Sequence, residues 1–198
     1  MPDFVIPACV GKGDSVDILL LSIKMILRAG LIGDVHGQLK PLRAAIKFLQ
    51  KQPDLDVLLC TGDLPERGDP LLTENSVECI RLLREAKVKT VRGNHDRWKL
   101  DILKDGSPRP IVPGWSEDEG FEFLAALPPN IDLATPLGPA MLCHGIGRDD
   151  MNGLYRGGEG WLHQAGLMKL DVFRNVYPQK LILNGHTHLR MVETFDDI

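Results

Sequence analysis

Short apolar runs bounded by turn residues recur along the chain, at Leu27–Ile32, Val57–Cys60, Val88–Val91, Ala140–Cys143 and Leu181–Leu183. Each is too short for a helix, and apolar runs of this length read as buried strands. Helical patterns lie between several of them. Leu42, Ala45, Ile46 and Leu49 share one face of Leu39–Gln50, and Val77, Ile80, Leu82 and Leu83 recur at helical spacing in Ser76–Ala86. Strand alternating with helix predicts an α/β fold with a mixed, mostly parallel β-sheet core flanked by helices.

The second half is less regular. Ser116-Glu117-Asp118-Glu119 forms a capping box ahead of Phe121, Phe123, Leu124 and Leu127, predicting a short helix that ends at Pro128-Pro129. Ile131–Ala134 and Ala140–Cys143, separated by Thr135-Pro136-Leu137-Gly138-Pro139, resemble a hairpin, which would make the sheet mixed. The glycine-rich stretch Gly153–Gly160 reads as a loop, with a helical segment following within about 161–177.

Length changes the picture little: 198 residues fit one domain with a full core. We expect residues 25–198 to form that domain and residues 1–24 to be an N-terminal extension of uncertain order. The apolar stretch from Ile18 to Ile32 is broken by Lys24 and Arg28, so its pieces fall well short of the ~20 residues of a membrane span. Asp14 and Asp17 stand where a signal peptide would be basic. Cys9, Cys60, Cys79 and Cys143 form no Cys-x-x-Cys pair, which favours a reduced, cytoplasmic setting. The net charge of −4 carries no strong signal for nucleic acid.

The candidate chemistry lies where the strands end. Five of the six histidines sit in short polar clusters directly after apolar runs: Gly33-Asp34-Val35-His36-Gly37, Gly93-Asn94-His95-Asp96, Cys143-His144-Gly145 and Gly185-His186-Thr187-His188. Gly62-Asp63 is a histidine-free partner. Open α/β sheets gather ligands at the carboxyl ends of their strands, so these side chains are expected to meet on one edge. Imidazole nitrogens converging with carboxylate and amide oxygens are what a cation site requires. Taken singly, Asp-x-His and Gly-Asn-His-Asp are common turns; the ordered set is the informative feature.

That set resembles the calcineurin-like metallophosphoesterase superfamily, block by block and in order from residue 33 to 188. Gly62-Asp63-Leu64-Pro65-Glu66-Arg67-Gly68, together with Arg92-Gly93-Asn94-His95, is most similar to the branch of phosphoprotein phosphatases and dinucleoside polyphosphate hydrolases. The resemblance implies a sandwich of sheets with a dinuclear metal centre at the strand ends. Asp34, His36 and His188 would hold one metal, Asn94, His144 and His186 the other, and Asp63 would bridge them. A carboxylate can span two cations ~3.5–4 Å apart, and mixed oxygen and nitrogen ligands without thiolate suit Mn, Fe or Zn.

By the same resemblance, His95 addresses the substrate as proton donor, Asp96 holds its imidazole, and Arg67 forks onto phosphate oxygens. The implied activity is an enzymatic one: hydrolysis of a phosphate mono- or diester by in-line attack of a metal-bridging hydroxide. The substrate would be a phosphoprotein, a nucleotide, a phosphodiester or a dinucleoside polyphosphate. The alternative is a non-catalytic scaffold on the same fold. The pattern departs from the branch at Pro65-Glu66, and only Arg148 and Arg156 offer themselves as a second phosphate-binding arginine. The superfamily commonly continues with further strands after the last motif, whereas this chain ends ten residues beyond His188. His163 is read as a surface or packing histidine and the buried-strand cysteines Cys60 and Cys143 as packing residues, while Trp98, Trp115 and Trp161 either line a substrate cleft or pack in the core or rim.

Overall fold

The computed structural model describes residues 25–68, 72–103, 119–155 and 161–194. β1 (Ala29–Ile32), β2 (Val57–Cys60) and β3 (Lys89–Thr90) form a parallel sheet in that order, joined by α1 (Leu39–Leu49) and α2 (Glu74–Glu85). Ile32 pairs with Cys60, and Cys60 with Thr90, so the three carboxyl ends are level. α2 starts two residues before the predicted Ser76 because the Thr73 hydroxyl caps it, accepting the Ser76 N–H at 3.1 Å.

The remaining strands do not extend this sheet. β4 (Asn130–Thr135) and β5 (Gly138–Cys143) form the expected hairpin, and β6 (Leu181–Leu183) pairs with β5 in parallel, giving a second three-stranded sheet. The reason is visible in the alternation along β2 and β5. Leu58 and Cys60 pack under α1 and α2 with Ile46, Val77 and Ile80. Leu59 points the other way, to Leu133, Ala140 and Leu142 of the second sheet. In β5, Ala140 and Leu142 face Leu59 while Met141 and Cys143 face Leu170 and Phe173 of α5 (Trp161–Val176). β2 and β5, each buried on both faces, therefore stack between helical layers. This is why these two strands read as apolar runs rather than as alternation.

Two more helices complete the described chain. α3 (Asn94–Leu103) was not expected, since only Leu100 among its residues is a buried apolar side chain and no amphipathic stripe betrays it. α4 (Glu119–Ala126) is the helix expected before Pro128-Pro129, and its Leu124 is fully buried. Ser116 of the capping box and Trp115 lie outside the described residues, as do residues 1–24 of the expected extension. No described helix is long and apolar enough to cross a membrane.

Candidate metal centre

Loops leaving β1, β2, β3, β5 and β6 carry Asp34 and His36, Asp63, Asn94, His144, and His186 and His188 respectively, and the structure brings all seven together. Five of the seven are left-handed: φ is +46° at Asp34, +43° at His36, +53° at Asp63, +69° at His186 and +57° at His188. Such conformations cost non-glycine residues on the order of 1 kcal/mol or more each, and they accumulate where a site over-determines the backbone. Gly93 packs so closely on Asp63 that any side chain there would strike its carboxylate and its N–H, which accounts for the glycine before Asn94.

The side chains divide into two groups that meet at Asp63. In one, ligand atoms of Asp34, His36, Asp63 and His188 lie within 4.8 Å of one another. Nε2 of His36 is 3.2 Å from Nε2 of His188 and 3.6 Å from Asp63 Oδ2, and His188 Nε2 is 3.6 Å from Asp34 Oδ1. In the other, Asn94 Oδ1 is 2.9 Å from His144 Nε2 and 3.0 Å from His186 Nδ1. His144 Nε2 is 3.4 Å from Asp63 Oδ2. The same carboxylate oxygen thus faces both groups, while Asp63 Oδ1 accepts the His95 N–H at 2.8 Å.

Hydrogen bonds on the far sides of the rings assign the tautomers. His144 Nδ1–H donates to the Thr61 carbonyl at 2.7 Å and His36 Nδ1–H to the Pro65 carbonyl at 3.2 Å, which leaves both Nε2 atoms as lone pairs aimed inward. His188 Nε2 receives Arg67 Nη2 at 2.9 Å and is also an acceptor. Apart from Arg67 Nη2, which would have to yield the His188 lone pair to a cation, the first group is a ring of acceptors at 3.2–3.6 Å, and the second gathers His144 Nε2, Asn94 Oδ1 and Asp63 Oδ2 at 2.9–3.4 Å. Lone pairs so arranged repel unless a proton or a cation sits among them, and the oxygen and nitrogen donors fit a divalent cation of the Mn, Fe or Zn kind.

Electrostatics point the same way. Burial pushes the His36, His95 and His186 imidazoles down, which keeps His36 and His186 neutral as ligands near pH 7; at His95, a negative charge brought beside the ring would favour its protonated form. Burial also pushes His144 down, yet the Asp63 carboxylate 3.4 Å away, which favours a positive charge on this side of the ring, outweighs burial and leaves the ring raised. Asp63, pushed up by burial, is held low by the same partner. The carboxylate therefore stays ionised and attracts whatever positive charge enters. Burial pushes the Cys60 and Cys143 thiols up to about 12, in keeping with inert packing residues.

One expectation changes. Asp96 does not hold the His95 imidazole. It is fully buried, and its carboxylate accepts the backbone N–H groups of Asp63 (2.9 Å), Leu64 (2.9 Å) and Gly93 (2.7 Å), tying the β2 loop to the start of α3. Burial pushes this carboxyl up to about 7 against the pull of those donors. The His95 ring lies instead edge-on to His36 at 4.8 Å and against Trp98 at 4.9 Å, and among the described residues neither ring nitrogen has a hydrogen-bond partner. Arg67 is exposed and contacts His188, while Glu66 accepts from Asn75. Sequence reasoning also missed the carbonyls of Thr61 and Pro65, because a backbone acceptor leaves no mark on residue type.

Asp96→Ala would strand three buried N–H groups at about 1 kcal/mol or more each. We expect a stability loss of about 3 kcal/mol in denaturant unfolding, with weakened metal retention, because the loop that carries Asp63 loses its anchor. A variant as stable as the parent would show that those bonds are dispensable.

A calcineurin-like phosphoesterase family model matches residues 27–190, and the chain belongs to that family. It is 37% identical over 71 residues to serine/threonine-protein phosphatase 1 of Salmonella typhimurium, covering 36% of this chain and 31% of that one. It is 38% identical over 75 residues to the symmetrical bis(5'-nucleosyl)-tetraphosphatase of Actinobacillus pleuropneumoniae, covering 37% of this chain and 26% of that one. The chain thus spans about a third or less of the length of these curated relatives. A hypothetical protein from Pyrococcus horikoshii shares the fold with a TM-score of 0.50 at 16% identity, over 78% of this chain and 67% of the other.

Proposed function

We propose that the chain is a dinuclear metal-dependent phosphoesterase, with Asp34, His36, Asp63 and His188 around one cation and Asp63, Asn94, His144 and His186 around the other. The observation that carries this reading is the single Asp63 oxygen lying 3.6 Å from His36 Nε2 and 3.4 Å from His144 Nε2, between the two groups. Cations held by these residues would supply charge neutralisation for phosphoryl oxygens and the activation of a water for in-line attack.

The protein's own contribution is positioning. Thr61 and Pro65 hold two imidazoles in the ligating tautomer. Asp96 fixes the loop that presents Asp63. His95, with both ring nitrogens open, donates a proton or a hydrogen bond to the leaving oxygen. Arg67, on the His188 side, offers its remaining guanidinium N–H groups to a phosphate. The relatives' names support a phosphorylated substrate, as a phosphoprotein or a dinucleoside polyphosphate.

A chelator-treated sample reconstituted with Mn, Fe or Zn is expected to bind two cations per chain and to hydrolyse p-nitrophenyl phosphate or bis-p-nitrophenyl phosphate only when loaded. Elemental analysis beside the assay checks both parts. Full metal loading without turnover of a broad phosphoester panel would favour a binding scaffold.

A further inference from the structure

His95 and Trp98 stand three residues apart on α3 and so share a face of that helix. Their rings touch, with centroids 4.9 Å apart and planes tilted by 57°. The other ring against His95 is His36, edge-on at 4.8 Å, which is itself a buried member of the centre. Trp98 is 41% exposed, so among the described residues it is the ring beside His95 that opens to solvent.

Core packing does not account for an indole at this place. Among the described residues, Trp98 belongs to none of the three apolar clusters, neither as a buried member nor as a side chain packed against one. The cations on either side of it in the sequence leave its face open. Arg97 gives both arms to Asp150, at 2.7 and 2.9 Å, and Lys99 is buried. An indole offers one of the largest flat apolar surfaces of any side chain, and aromatic rings stack on it at centroid distances of ~4.5–7 Å.

The chemistry at His95 fixes what is brought beside that surface. In ester hydrolysis the P–O bond to the leaving group breaks, the departing oxygen keeps the electron pair and takes the proton from the His95 imidazole, and the product leaves as an alcohol. That oxygen must come within ~3 Å of an imidazole nitrogen. The group it carries therefore emerges next to Trp98. A ring bonded directly to the oxygen, or through one methylene, comes within stacking reach of the indole, whereas a nucleobase is held off by its sugar.

We propose that Trp98 is the platform for the leaving group, and that it selects esters whose leaving alcohol carries an aromatic ring on the oxygen or one carbon away from it. The proposal rests on the phosphoesterase reading and adds to it the residue that chooses among leaving groups.

Benzyl phosphate and butyl phosphate test it, because their leaving alcohols are similar in acidity and differ in the ring. In the metal-loaded protein the ratio of kcat/KM for benzyl phosphate to that for butyl phosphate is expected to fall about tenfold in Trp98→Leu, the size of one aromatic stacking contact, and to recover in Trp98→Phe. Trp98 stands outside the apolar clusters, so both variants keep the fold. Thymidine 5'-phosphate should lose much less than benzyl phosphate. Equal losses for the benzyl and butyl esters would show that the indole only positions His95 and would overturn the proposal, as would a loss confined to the nucleotide. Binding supplies a reading that needs no turnover. Benzylphosphonate, which has no ester bond to the benzyl group, is expected to bind more tightly than butylphosphonate, to shift the Trp98 indole N–H resonance in NMR, and to lose its advantage in Trp98→Leu. Equal affinities of the two phosphonates, or an unmoved indole resonance, overturn the proposal. If no loaded sample hydrolyses p-nitrophenyl phosphate, the phosphoesterase reading falls instead, and the phosphonate titration still decides whether Trp98 takes an aromatic ring.

Discussion

Asp63→Asn is expected to lose the second cation and to lower turnover by at least about 10²-fold while leaving the protein folded. The wild-type oxygen Oδ2 faces both acceptor groups and Oδ1 accepts the His95 N–H at 2.8 Å. An amide can keep only one of these functions. If its oxygen stays on the His95 N–H, its NH₂ group points into the centre, where a donor opposes a cation. If it turns, the His95 N–H meets a donor and the start of α3 loses its tether. Either way the negative charge that keeps His144 raised disappears. Removing a shared ligand should therefore cost more than the 10–100-fold typical of an outer supporting residue. Elemental analysis and p-nitrophenyl phosphate hydrolysis read the two effects separately. Two cations per chain with parental turnover would refute the bridge.

His95→Asn should instead retain both cations and lower turnover by about 10²–10⁴-fold, the usual contribution of a positioned proton donor. Its backbone N–H, which serves Asp63, survives the substitution, and its ring makes only packing contacts with His36 and Trp98. Alkyl phosphates should suffer most, because their leaving oxygen needs a proton, and p-nitrophenyl esters least. An equal loss for both leaving groups would mean that the imidazole stabilises charge as a hydrogen-bond donor rather than transferring a proton. Loss of metal would remove His95 from the substrate side altogether.

The strands and the side chains that meet were legible because both are written locally. Val57–Cys60 is a strand with the predicted bounds, since burial on both faces demands an unbroken apolar run whatever the neighbouring strand is. Asp34, His36, Asp63, Asn94, His144, His186 and His188 stood out because each follows such a run, and ligand chemistry restricts residue type. α3 was illegible for the opposite reason. Its polar residues serve the centre and the β2 loop rather than a hydrophobic stripe.

What only the tertiary structure decided is a matter of partners. That β4, β5 and β6 form a separate sheet depends on Leu59 facing Leu142 across more than eighty residues of sequence. Asp96 looked like the natural orienter of its neighbour His95, yet its carboxylate is taken by three N–H groups, two of them more than thirty residues away. The left-handed backbone at five of the converging residues follows from the same cause. So do the carbonyls that set the imidazole tautomers. Residue type limits which interactions a side chain can make. Which one it makes is settled by the groups that folding brings within hydrogen-bond reach, and these are set by packing between elements distant in sequence.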